Sequence, residues 1–176
     1  MRFVFSEKVK EASLACAINE PMSGLYTRHY MNEVAPRFVA QHQRDENAGF
    51  AISLVEIDRG DFLKQKYGED VYNKLFLAVA TLVMENIRET DMAVHFADQQ
   101  IAIFTSCEDA ESAIKALERI HSRITEVEIP LDEGIVLTVD LQMAQAVHRQ
   151  QETFTQLLAR TEKLLLENCI PQVDAV

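Results

Sequence analysis

The chain has 176 residues and no linker rich in Pro, Gly or Ser, which suits one domain with an appended helix and a largely buried core. Its 28 acidic against 17 basic side chains leave a net charge of -11, which argues against binding to nucleic-acid polymers or to an anionic membrane surface. Cys16, Cys107 and Cys169 are scattered, no apolar stretch nears the ~20 residues of a membrane span, and no secretory leader opens the chain, so the expected setting is the reducing cytoplasm without membrane contact.

Phe5 to Asn19 reads as a helix, with Phe5, Val9, Ala12 and Cys16 on one side, ending where Pro21 pushes Glu20 out of the α region. Residues 1–19 are set apart as a linker or stalk, and 20–176 as the domain proper. A second helix is expected from about Arg28 to Gln43, kinked or broken at Pro36. The apolar, β-branched run Phe50 to Ile57 reads as a central strand. Next come a helix from about Glu69 to Arg88 and a hairpin of Met92–Phe96 and Ile101–Phe104 around a polar tip. An amphipathic helix over Ala110–Ile124, a strand over Gly134–Ala146 and a closing helix over Thr153–Asn168 complete the order. These elements imply an α/β (α+β) fold, ferredoxin-like or palm-type, with helices flanking a mostly antiparallel central sheet.

Four words along the chain resemble the GGDEF family, diguanylate cyclase domains that join two GTP molecules into cyclic di-GMP. "EPMSGLYTR" is similar to the family's "DxLTGLxNR", "LVEIDRGDFLKQKYG" to "LxxIDIDxFKxINDxYG", "AVHFADQQIAIF" to "VARYGGDEFxIL", and "LLARTEKLLLEN" to "LLxxADxALYxAK". The resemblance covers roughly Glu20 to Asn168 and runs without a gap from Glu56 to Ile101. It implies a nucleotide-cyclase palm, and it also exposes departures where the chemistry should sit.

Cyclase action of this kind needs carboxylates that hold Mg²⁺ against a triphosphate. Here the signature reads Ala97, Asp98, Gln99, Gln100, Ile101, so two glycines and two acids are replaced. A carboxylate at Asp98 repels the phosphate that the lost glycine would admit. The first metal-binding aspartate corresponds to Glu56, the guanine-reading Asn and Asp to Lys64 and Asn73, the terminal lysine to Cys169, and the Phe of "DxFK" to Gly60, with Phe62 two places along. The resemblance therefore implies a degenerate domain without cyclase activity, without a cofactor and without a metal.

The family's product-inhibition site is an RxxD five residues before the signature, and Arg88-Glu89-Thr90-Asp91 stands in that position. A guanidinium forks onto guanine O6 and N7 or onto a phosphate, while a carboxylate accepts from N1–H and N2–H. A further arginine of the family falls at Arg119, with Arg123 as fallback. The bland account is a helix-terminal charge at Arg88 and a turn-starting Asp91. The implied ligand is cyclic di-GMP, acting on a partner protein or a homodimer. The rival is a protein-interaction or dimerisation scaffold that binds no nucleotide, and a third reading is residual GTP binding, against which Lys64 and Asn73 speak. Phe5 to Asn19 is either a dimer-forming stalk, as before many GGDEF domains, or a helix packed back on its own domain. His95 is expected to replace the family's strand arginine as a half-buried side chain, and Glu56, Asp58 and Asp61 form a solvated acidic strand end rather than a cation site.

Overall fold

Strand β2, Gly49–Ile57, is buried along nearly its whole length because both of its faces are covered. It lies second from one edge of a five-stranded sheet ordered β1-β3-β4-β2-β7. The others are β1 (Tyr26–Thr27), β3 (Met92–Ala97), β4 (Gln100–Cys107) and β7 (Leu141–Val147). Every pairing is antiparallel except β1 with β3. The computed structural model describes residues 18–42, 49–107, 110–130 and 136–167. All but the end of the helix expected over Phe5 to Asn19 lies outside them, as do Cys16 and Cys169.

The helices are α1 (Arg28–His42), α2 (Gly60–Tyr67), α3 (Glu69–Asn86), α4 (Ala110–Ile124) and α5 (Phe154–Leu166). Side chains alternate across each strand. Ile101 and Ile103 of β4 therefore face Leu75, Val79 and Val83 of α3 and Leu117, Ile120 and Ile124 of α4. Ala102 and Phe104 face Met31 and Val39 of α1 and Leu157 and Leu165 of α5. Fully burying each such Leu, Ile or Phe contributes ~1.5–3 kcal/mol, so the sheet is held from both sides.

Four expectations need correction. Helix α1 runs through Pro36 without a break. Pro36 and Asn32 both lie on the exposed side, so the carbonyl that loses its partner meets water, while Met31, Ala35 and Val39 are buried. The helix expected to reach Arg88 stops at Asn86, and Ile87 is extended. Helix α2 was not anticipated; it is a short, mostly polar helix that Gly68, at φ 88°, separates from α3. The strand expected over Gly134 to Ala146 is two strands in two sheets. Val136–Thr138 (β6) pairs with β5 (Glu128–Pro130), and β7 joins the main sheet. Asp140 breaks the run because its carbonyl turns to accept the Asp58 amide at 2.8 Å and its carboxylate pairs with Arg59.

Helix α5 begins with a capping box between Thr153 and Gln156. Arg160 fastens it to the end of β7, donating to the Val147 carbonyl at 2.6 Å and to Glu152 at 2.8 Å. Burial alone would raise the Glu152 pKa, but hydrogen bonds from the Arg160 side chain and the Arg149 amide hold it below the ordinary carboxylate value.

Candidate functional site

The hairpin of β3 and β4 separates two charged regions. At its tip, the β2–β4 register sets Glu56 opposite Gln100, and the Gln100 amide donates to Glu56 Oε2 at 2.6 Å. Gln99 donates to Asp61 Oδ1, also at 2.6 Å. Its side chain lies across Gly60 so closely that a Cβ there would stand 2.6 Å from Gln99 Cδ. Gln142 reaches Asp58 at 2.9 Å. Lys64 stands 3.6 Å from the Asp98 carboxylate and over the Tyr72 ring, while the Tyr72 hydroxyl donates to the Asp98 carbonyl. Burial first, then the charges of Asp98, Asp61 and Glu56, push the Tyr72 pKa above the ordinary phenol value. The three carboxylates that add to the effect of burial also repel a triphosphate at this tip. Asn73 is half-buried on α3, and Ile101 belongs to the core.

These donors do not fit a pair of Mg²⁺ ions. Such ions need converging carboxylate oxygens, and here Glu56 and Asp61 each meet an amide N–H₂ where a second acid would be. Among the described residues no group of three or more His, Cys, Asp or Glu converges to hold a metal.

The second region lies at the other end of β3. A cleft of about 320 Å³ is bordered by Arg88 and Asp91, by Thr105 and Ser106 of β4, and by Lys115 and Arg119 of α4. Three sequence candidates, Arg88, Asp91 and Arg119, thus come together from three parts of the chain. Arg88 is exposed, and among the described residues its guanidinium has no hydrogen bond or ion pair. Asp91 is engaged: Oδ2 accepts the Arg88 amide at 2.9 Å and Oδ1 the Ser106 amide at 3.3 Å. Arg119 donates through Nη2 to the Asn86 carbonyl at 2.7 Å, which aims the side chain while leaving other donors of the fork. The fallback Arg123 does not border the cleft; it sits 3.7 Å from Glu126. Sequence reasoning missed Lys115, although its place one helical turn before Arg119 was a usable signal.

His95 is half-buried, as expected; its Nδ1 lies 3.2 Å from Glu20 Oε2, which also accepts from the buried Ser23 hydroxyl. No described helix is long and apolar enough to cross a membrane.

A mostly antiparallel sheet between helices, with a central hairpin tip and an RxxD word ahead of it, defines a nucleotide-cyclase palm. The family model for "Diguanylate cyclase, GGDEF domain" matches residues 17–168, and the chain belongs to that GGDEF family. It is 24% identical over 123 residues to the probable diguanylate cyclase DgcC of Escherichia coli K12, covering 70% of this chain and 33% of that protein. The chain thus spans about a third of the curated relative's length. Among solved structures, the GGDEF domain of DgcB from Caulobacter crescentus in complex with c-di-GMP superposes with a TM-score of 0.80 at 14% identity, covering 86% of this chain and 89% of that one. The diguanylate cyclase SiaD of Pseudomonas aeruginosa, in complex with its activator SiaC, gives 0.77 at 16% identity over 96% and 68%. At these identities the likeness is one of fold.

Proposed function

We propose that this domain is a cyclic di-GMP receptor that binds through Arg88, Asp91 and Arg119 and does not synthesise the dinucleotide. The observation that carries the reading is the convergence of those three side chains on one cleft. Three cations against one lining carboxylate make the cleft locally basic in a chain of charge -11, which suits a phosphodiester carrying guanine edges. The c-di-GMP complex of the related DgcB domain supports the ligand class. Loss of synthesis follows from the amide-capped carboxylates Glu56 and Asp61 and from Lys64 and Asn73 at the guanine-reading positions. Occupancy would then bias a partner protein or a second copy of the domain.

One observation favours the scaffold reading: both Asp91 oxygens already serve backbone amides, a sufficient structural reason for an Asp there. Calorimetric titration with cyclic di-GMP separates the two. The receptor reading expects micromolar or tighter binding, weakened roughly a hundredfold by Arg88→Ala, the equivalent of about 3 kcal/mol for a charged fork. Absence of heat and of any thermal shift at high ligand would hand the domain to the scaffold reading. GTP with Mg²⁺ should yield no cyclic di-GMP.

A further inference from the structure

Gln145 of β7 is a buried polar group that belongs to neither the tip nor the cleft. It is 5% exposed and stands opposite Ser53 of β2, on the sheet face that α4 covers. Its Nε2 donates to Ser53 Oγ at 2.8 Å and to the Ala113 carbonyl of α4 at 3.0 Å. Both amide protons are thereby used, while Oε1 has no hydrogen-bond partner among the described residues. Turning the amide over would set Oε1 against the Ala113 carbonyl, so the orientation is fixed. A buried acceptor without a partner costs stability, and an apolar side chain of similar length would avoid that cost. A glutamine at this place is therefore better explained by what it positions than by what it stabilises.

Helix α4 is held differently along its two halves. Leu117, Ile120 and Ile124 sink the C-terminal half into the core. The first turns rest on small residues, with Ala113 packed among Ala51 and Cys107 and Val147 at the margin. Small side chains make few contacts and hold a helix loosely, and the bond from Gln145 adds direction to that hold. The same half of α4 carries Ser112 and Ala116 to the cleft, where Thr105 and Ser106 of β4 also stand. We propose that Gln145 is a positioning residue: by tying Ala113 to the sheet, it sets the width of the cleft before any ligand arrives. Its effect on affinity rests on the receptor reading, whereas its hold on α4 does not.

The test uses two variants of the intact domain, Ser53→Ala and the pair Ser53→Ala/Gln145→Met. Cyclic di-GMP is titrated by calorimetry, stability is read from chemical denaturation, and amide hydrogen exchange is followed along α4. Ser53→Ala leaves one Gln145 proton without an acceptor but keeps the Ala113 bond. The denaturation midpoint should therefore fall while affinity stays within about twofold of wild type. The pair replaces both polar partners by apolar groups, so its midpoint should return to the wild-type value or exceed it. Yet it should bind roughly fivefold more weakly, because the cleft is no longer held ready. The amides of Ile114 to Leu117 should also exchange roughly tenfold faster in the pair. Binding that depends on Arg88 and is as tight in the pair as in wild type overturns the assignment while leaving the receptor reading intact. Affinity that follows stability through both variants overturns it too, since Gln145 is then only structural, and so does unchanged exchange along α4. If the wild-type domain binds no cyclic di-GMP, the receptor reading falls, and the exchange rates alone decide whether Gln145 positions the helix.

Discussion

The hairpin tip and the RxxD cleft use the same kinds of groups to opposite ends. At the tip, Gln99 and Gln100 turn their amides onto Asp61 and Glu56, and Lys64 turns onto Asp98, so the polar groups satisfy one another. In the cleft, the Arg88 guanidinium has no hydrogen-bonding or ionic partner among the described residues, and the Lys115 side chain is largely exposed beside Glu111. A region whose polar groups are internally matched gains nothing from a ligand that must displace them. One with cations facing water keeps interactions in reserve. On the proposed reading, the contrast is that of a domain that has lost one nucleotide site while the chemistry of another stays open.

The sharpest way to break this comparison is to restore the acids. The double change Gln99→Glu and Gln100→Glu removes two amide-to-carboxylate bonds and sets like charges against Asp61 and Glu56. Stability should fall by about 2 kcal/mol in chemical denaturation, with recovery on adding Mn²⁺ to the paired carboxylates. An unchanged midpoint would mean that the amide pairs contribute nothing. A smaller effect sharpens the cleft side: Asp91→Ala should lower stability by about 1 kcal/mol because the Arg88 and Ser106 amides lose their acceptor. Arg88→Ala should stay within about 0.5 kcal/mol of wild type. Equal melting temperatures for the two variants would remove the structural role of Asp91. At the tip, a single small substitution, Gly60→Ala, has a modest expected effect. The new Cβ displaces Gln99 from Asp61 and lowers stability by about 0.5–1 kcal/mol, whereas in a Gln99→Ala background the same change should be neutral.

Much of the fold was legible because its signals are local. The apolar run of β2, the paired runs of the hairpin and the 3.6-residue spacing of Ala110–Ile124 need no distant partner to be read. The strand expected over Gly134 to Ala146 failed for the opposite reason: its interruption is made by Asp58 and Arg59, some eighty residues away in sequence. Of the kink or break expected at Pro36, the break does not occur, because tolerance of a helical proline depends on which side of the helix meets water. Arg88, Asp91 and Arg119 line one cleft, a juxtaposition that depends on packing between α3, β3 and α4 rather than on local spacing. The meaning of Gly60 did not emerge from sequence. Its exchange for the family's Phe reads as a loss until Gln99 is seen occupying the space above it.

That close contact between Gly60 and Gln99 also bears on descent. On the proposed reading of an inactive tip, a return to synthesis would require acids at the tip, a bulkier residue at Gly60 and a glycine at Asp98. Each substitution made first disturbs an arrangement fitted to the others. The path back would then pass through less stable chains, and selection for folding alone would hold the tip in its proposed inactive form even where a working enzyme would be useful.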